Sequence, residues 1–174
     1  MIKVIAKEEF LKKSILNILS QKNIIFSMGS DNHFSLIKIE NLHQSLSLNI
    51  DGECFNFTKP ANLCELTKII IDQLRNKSFN FNDLKYFPYQ RLILIEPKKV
   101  FLTEIQNNIF MSLSLNQDGI DKEKLYKFIW NQDKDISINK LDTHLTNLKN
   151  ELSNNLGVFI NFQSKDKKLK LIIN

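Results

Sequence analysis

Between Asn139 and Asn150 the chain sets polar side chains at helical spacing: Asn139, Lys140, Thr143, Thr146, Asn147 and Asn150, with His144 and Lys149 at the flanks. Gathered on one side of a helix, that set suits the major groove of DNA. An Asn amide can bond adenine at N6 and N7, and a Thr methyl can touch the thymine methyl. A plain solvated face has the same look, and the stretch is nearly neutral, since Lys140 and Lys149 are offset by Asp142 and Glu151. Affinity for a polyanion would have to come from elsewhere. Lys165, Lys167, Lys168 and Lys170 surround a lone Asp166 near the end of the chain. Each phosphate that such a tip neutralises releases counterions, although lysines also keep an edge strand soluble.

Other chemistries find no matching pattern. The four glycines, Gly29, Gly52, Gly119 and Gly157, are far apart, so there is no phosphate-cradling glycine loop. Ser, Asp and His are all present, yet no nucleophile elbow or activated pair appears, and no enzyme activity is expected. His33, Glu40 and His43 lie on unrelated local elements without metal-ligand spacing, so solvated or capping roles are expected and no metal or other cofactor. Cys54 and Cys64 flank Lys59-Pro60 and read as small buried hydrophobes, not a redox pair. Two cysteines form no disulfide framework, which places the chain in a reducing compartment, the cytoplasm by default. No apolar run of membrane-spanning length occurs, and Met1 to Phe10 carries Lys3, Lys7, Glu8 and Glu9, so no export, anchoring or membrane partner is expected.

The 174 residues, 43% of them hydrophobic, suffice for one ordinary core or two small ones. Charge is uneven. Residues 1–83 carry 10 basic against 9 acidic side chains and residues 84–174 carry 14 against 10, so the second half is the better polyanion binder. The polar stretch Asn76 to Asp83 separates the halves as a domain junction.

Upstream of it, Ile2 to Ala6 reads as a buried strand. Glu8 to Gln21 reads as an amphipathic helix with Phe10, Leu11, Ile15, Ile18 and Leu19 inward. Asn23 to Met28 and Phe34 to Ile39 are further strands, and Ser45 to Phe57 alternates around Asp51-Gly52 as a hairpin. Ala61 to Leu74 is helical, with Leu63, Leu66, Ile70 and Leu74 on one face. Downstream, Lys85 to Tyr89, Arg91 to Ile95 and Val100 to Leu102 make a small antiparallel sheet, broken by Pro88 and Glu96-Pro97. Thr103, Asp121 and Ser137 can cap three helices. The first has Ile105, Ile109, Phe110 and Leu113 as its apolar positions, and the second has Leu125, Phe128 and Ile129 inward. The third steps by three and four through Ile138, Leu141, Leu145, Leu148 and Leu152, a core stripe opposite the polar face. Val158 to Phe162 and Lys168 to Ile173 form a closing hairpin around Gln163 to Lys167. Strands, three helices, then a hairpin is the order of a winged helix.

At this point the residues resemble the C-terminal effector domain of OmpR/PhoB-type response regulators, over residues 84 to 173. Phe101-Leu102-Thr103-Glu104 opens the first helix and Leu125 to Trp130 closes the second. Leu141-Asp142-Thr143-His144-Leu145, then Asn147-Leu148-Lys149, look like that family's recognition helix. The resemblance implies double-stranded DNA as partner, with Trp130 against a phosphate or half-buried as a core residue. It also implies that the loop Asn131 to Ile136, with Asp133, Lys134 and Asp135, meets RNA polymerase. The wing lacks the family's usual Gly and Tyr, and Asn139, Thr146 and Asn147 stand where Arg or Thr is frequent.

The first half resembles a receiver domain: Ile2 to Ile5 as its first strand, and Gly52 followed by Phe57-Thr58-Lys59-Pro60 as its last. The places of the Mg²⁺-binding acidic pair fall on Ala6 and Lys7, and that of the phosphate acceptor on Glu40 or Asn41. Phosphorylation is therefore not expected. Too few residues separate Glu40 from Gly52 for a complete receiver, so the sheet is expected to be truncated and partly antiparallel.

The expected fold is an α/β truncated receiver-like domain over residues 1–76, followed by an α+β winged-helix DNA-binding domain over residues 84–174. The expected function is a bacterial, phosphorylation-independent transcription regulator. The DNA-binding set is Trp130, Asn139, Lys140, Thr143, His144, Thr146, Asn147, Lys149, Lys165, Lys167 and Lys168. The polar helix would read A·T-rich DNA while the lysines grip phosphate, with a homodimer if half-sites are paired. The alternative is a protein-interaction adaptor whose winged helix has lost DNA binding.

Overall fold

Alternate apolar residues in the first 60 positions assemble one mixed sheet. The structure, a computed structural model, describes residues 2–22, 35–130 and 138–173. It divides into two units, Met1–Lys77 and Ser78–Asn174.

The first unit runs β1 (Ile2–Ala6), α1 (Glu9–Gln21), β2 (Ser35–Asn41), β3 (Ser45–Ile50), β4 (Glu53–Thr58) and α2 (Leu63–Asn76), with its strands in the order β1-β2-β3-β4. β1 pairs parallel with β2, Ile2 opposite Ser35, whereas β2/β3 and β3/β4 are antiparallel. The sheet is therefore partly antiparallel, as the short spacing before Gly52 requires. Asp51 (φ 53°) and Gly52 (φ 101°) both take left-handed conformations, the geometry of a two-residue hairpin turn. Asp51 also accepts the Leu36 N–H at 2.8 Å and pairs with Lys77 at 2.7 Å.

Ile37, Leu48 and Ile50 of the sheet, Leu66, Ile70 and Leu74 of α2 and Ile15 and Leu19 of α1 are all buried and make up the core of this unit. Phe10, expected inward, is 84% exposed. The reason is angular: Phe10 lies about 140° round the helix from Ile15. Leu11, Ile18 and Leu63 are half-buried at the margins, and both cysteines, expected to be buried, are exposed. The strand expected over 23–28 and His33 lie outside the described residues.

The second unit begins with β5 (Phe79–Phe81), β6 (Leu84–Phe87), β7 (Leu92–Ile95) and β8 (Lys98–Phe101), an antiparallel sheet in sequence order. β5 falls inside the stretch read as a junction. Its two phenylalanines alternate with Asn80, and Phe79 pairs with Tyr86 and Phe81 with Leu84. A period-two pattern of only three residues is easily lost among polar neighbours. The last strand ends at Phe101 rather than Leu102, whose N–H donates to the Arg91 carbonyl at 2.7 Å.

Then come α3 (Glu104–Leu115), β9 (Ile120–Asp121), α4 (Lys122–Trp130), α5 (Ile138–Leu156), β10 (Ile160–Lys165) and β11 (Lys168–Ile173). Thr103 and Gln106 form a reciprocal capping box on α3, and Asp121 Oδ1 accepts the Glu123 and Lys124 N–H groups, both at 3.0 Å. Ser137, expected to cap α5, lies outside the described residues. Gly157 (φ 75°) closes α5 as an αL cap, its N–H donating to the Ser153 carbonyl at 3.0 Å, with the Val158 N–H on the Leu152 carbonyl at 3.3 Å.

The core of this unit packs Tyr86 edge-on to Phe110, ring centres 4.7 Å apart, over Ile109, Leu113, Leu125, Tyr126 and the leucines of α5. On α4, Tyr126 is buried and Phe128, expected inward, is 39% exposed. Leu125, Tyr126 and Ile129 define the inward arc, and Phe128 falls about 100° from its centre. β11 is central to a small sheet, flanked by β10 and by β9, which reaches it at Lys168 and Leu169. Gly119 (φ 89°) permits that junction: a Cβ there would lie 3.2 Å from the Leu169 carbonyl oxygen and 3.3 Å from Lys168 Cβ. No described helix is long and apolar enough to cross a membrane.

Candidate nucleic-acid interface

Helix α5 sorts its side chains as its stripe requires. Leu141, Leu145, Leu148, Leu152 and Leu156 are buried. Asn139, Thr143, Thr146, Asn147 and Asn150 are all exposed, and they occupy an arc of about 100° on the other side. The two threonine hydroxyls are already engaged: Thr143 Oγ1 donates to the Asn139 carbonyl at 2.8 Å and Thr146 Oγ1 to the Asp142 carbonyl at 2.9 Å. With their protons turned back onto the helix, these residues offer outward a methyl group and an acceptor lone pair. The donors on this face are then Asn139, Asn147 and Asn150, with Lys140 and Lys149 exposed at its margins.

Trp130, at the end of α4, is half-buried and organises three neighbours. Its ring lies 4.5 Å from that of Tyr126 and 5.6 Å from the half-buried His144, and the Lys140 ammonium stands 4.7 Å from its centre. The indole Nε1 is buried and has no hydrogen-bond partner among the described residues. The charge that this cluster carries outward is therefore the Lys140 ammonium, steadied by the ring beneath it. Sequence reasoning named Trp130, Lys140 and His144 for DNA, but not Tyr126, and did not foresee their stacking, because Trp130 and Lys140 belong to different helices. Asp133, Lys134 and Asp135 lie outside the described residues.

The closing hairpin is tighter than expected. β10 continues to Lys165, so the turn is the two residues Asp166 (φ 50°) and Lys167 (φ 63°), not a loop from Gln163 to Lys167. Without an Asn-Gly or Asp-Gly step the turn is hard to see in the sequence, since Lys rarely takes a left-handed conformation. The strand also starts later, at Ile160, and leaves Phe159 65% exposed. The pairing puts Lys165 directly opposite Lys168, and Gln163 opposite Lys170, so three lysines share one face with Lys167 at the tip. All four are exposed. Like charges directly opposite one another cost stability, a cost that a bound polyanion would reverse.

Lys122, absent from the sequence-based set, joins these two features. Its ammonium reaches Asp142 of α5 at 3.4 Å, and its backbone N–H donates to the carbonyl of Lys167 at the hairpin tip at 3.2 Å. No spacing rule connects positions 20 and 45 residues apart, so only the folded chain reveals the link.

In the first unit, the ends of β1 and β2 carry the positions of interest in a receiver. Ala6 pairs with Ile39, Asn41 Nδ2 donates to Glu8 Oε1, and Glu40 is exposed. The Lys59 ammonium is held by the Leu42 carbonyl and, at 3.5 Å, the His43 carbonyl. Among the described residues no cluster of three or more His, Cys, Asp or Glu could hold a metal ion. The polar atoms of this corner are turned toward each other.

The sequence matches no protein-family model and no curated protein. Among solved structures, one described as "A novel family of redox sensors in the streptococci evolved from two-component response regulators" is similar at 14% identity and a TM-score of 0.45. The match covers 99% of this chain and 66% of that one, so the chain spans a little under two thirds of its neighbour's length.

Proposed function

We propose that the chain is a DNA-binding transcription regulator whose second unit works as a winged helix, with α5 in the major groove and the β10–β11 hairpin as the wing on phosphate. The observation that carries this reading is the hairpin: Lys165 and Lys168 face each other across the ladder with Lys167 at the turn, next in sequence to a helix whose free face is Asn and Thr. The lysines supply sequence-independent attraction. The Asn amides and outward Thr methyls supply a preference for A·T pairs. The reading of the first unit as a truncated receiver without phosphate chemistry is supported by the Asn41–Glu8 bond at the acceptor position and by Lys7 in place of an acid.

A second reading, a protein-interaction adaptor, draws support from Phe101. It is 63% exposed and lies in a cross-strand row with Leu92 and Phe87 on the outer side of the β5–β8 sheet. Selection of fragments of the native genome by the full chain, followed by mobility shift at two salt concentrations, separates the readings. Retention of A·T-rich fragments that weakens steeply with salt is the expected result. No retention of any fragment at low salt would reject the regulator and leave the adaptor.

A further inference from the structure

We propose that Lys122 is a positioning residue that sets the spacing between the wing and the groove-facing helix, a role that rests on the DNA-binding reading of these two elements. Three connections meet at this point. The Lys122 N–H holds the Lys167 carbonyl at 3.2 Å, so the backbone of the wing tip is tied to the start of α4. β9 pairs with β11 just before it, Asp121 opposite Lys168, while the Asp121 carboxylate caps α4. The Lys122 side chain then crosses to Asp142 at 3.4 Å, on the side of α5 between its core stripe and its exposed face. One residue thus clamps the hairpin with its main chain and the helix with its side chain.

The wing turn is only two residues long, so its lysines cannot travel far to find phosphate. Their position relative to α5 must be set by the junction on which the hairpin stands. The Lys122 side chain is only 26% exposed, and its ammonium is directed to a carboxylate. Geometry therefore gives it a protein partner, and its contribution to DNA passes through Asp142.

This has a consequence that charge alone would not give. Asp142→Asn removes a negative charge from the side of the helix that approaches DNA, and simple electrostatics predicts tighter binding. As half of the clamp, Asp142 should instead weaken binding when neutralised.

Two measurements on the full chain test this. The first needs no DNA. In a Cys54→Ser, Cys64→Ser background, nitroxides at Asn150→Cys and Lys167→Cys report the helix-to-wing distance distribution by pulsed electron spin resonance. Lys122→Gln and Asp142→Asn should each broaden it, and Lys122→Arg, which keeps the charge, should leave it narrow. An unchanged width in both would overturn the proposal. The second uses a 30-base-pair A·T-rich duplex without labels. Each substitution should weaken binding about threefold, the double variant should be no worse than either single, and the salt slope should stay that of the parent. Tighter binding by Asp142→Asn, with a flatter slope for Lys122→Gln, would make Lys122 a direct phosphate contact and overturn the positioning role. If the parent chain binds no duplex, the DNA-binding reading fails, and the distance measurement still decides whether Lys122 fixes the spacing.

Discussion

The ammonium of Lys140 stands 4.7 Å from the centre of the Trp130 ring, joining the start of α5 to the end of α4. Since Trp130 is the single tryptophan in the chain, tryptophan emission reports the cluster that it forms with Tyr126, His144 and Lys140. Addition of a duplex that engages Lys140 should shift or quench that emission. Lys140→Gln should abolish most of the change, and Trp130→Phe should keep a weaker ring–cation contact, with a loss of affinity smaller than that of Trp130→Ala. A duplex that binds tightly without altering the emission would place Lys140 away from the nucleic acid.

Lys167→Ala together with Lys168→Ala should weaken binding to all sequences alike and reduce the salt slope by about two units. Unchanged salt dependence in a titration between low and moderate salt would remove the wing from the interface.

Because Lys165 and Lys168 face each other, replacing either should raise stability. Lys165→Thr should raise the unfolding free energy by roughly 0.5 kcal/mol, measured in denaturant, while lowering affinity for DNA. Opposite signs for stability and affinity would mark the lysine pair as kept for binding.

Thr143 separates methyl from hydroxyl. Its Oγ1 is occupied by the Asn139 carbonyl, so Thr143→Val should preserve the preference among bound sequences and Thr143→Ser should alter it. Asn147→Ala should also change the preference, by about 1–3 kcal/mol at one base position. Binding selections that return the same motif for all three variants would exclude direct readout by this face.

Tyr86 donates to Asn107 Oδ1 at 2.8 Å in the core, and burial, with the neighbouring Tyr89 second, pushes its hydroxyl well above the ordinary tyrosine range. The folded chain therefore holds this proton more tightly than the unfolded one. Its contribution is complete below about pH 10 and is lost as pH rises beyond that toward the folded value. Denaturant unfolding from pH 9 to 11 should show a decline that Tyr86→Phe reduces. At neutral pH the same substitution should cost about 1–2 kcal/mol, because Asn107 Oδ1 loses its donor.

Local rules make some of these elements legible in the sequence and hide others. The leucine stripe of α5, the Thr103 and Asp121 caps and the Asp51-Gly52 hairpin each rest on a few neighbouring residues, and the structure contains all of them. β5 was obscured because two alternating phenylalanines carry too short a period to stand out. The tight turn of the β10–β11 hairpin is obscured because Asp166-Lys167 lacks the glycine that usually marks one. Phe10 and Phe128 show the opposite failure, apolar residues whose helical phase points them outward. In the candidate interface the exposed Asn and Thr residues could be listed from spacing alone. The Trp130–Lys140 and Lys122–Asp142 pairs could not, since each depends on how separate helices meet.

Gly119 bears on how this surface can evolve. Its φ of 89° strains any residue with a side chain, and the Leu169 carbonyl, 3.2 Å from where a methyl would stand, would have to give by a few tenths of an ångström to admit one. Gly119→Ala should lower the unfolding free energy by roughly 1 kcal/mol or more, measured in denaturant. The exposed lysines of the hairpin can change without touching this junction, while the glycine on which the β9–β11 pairing stands cannot change without strain.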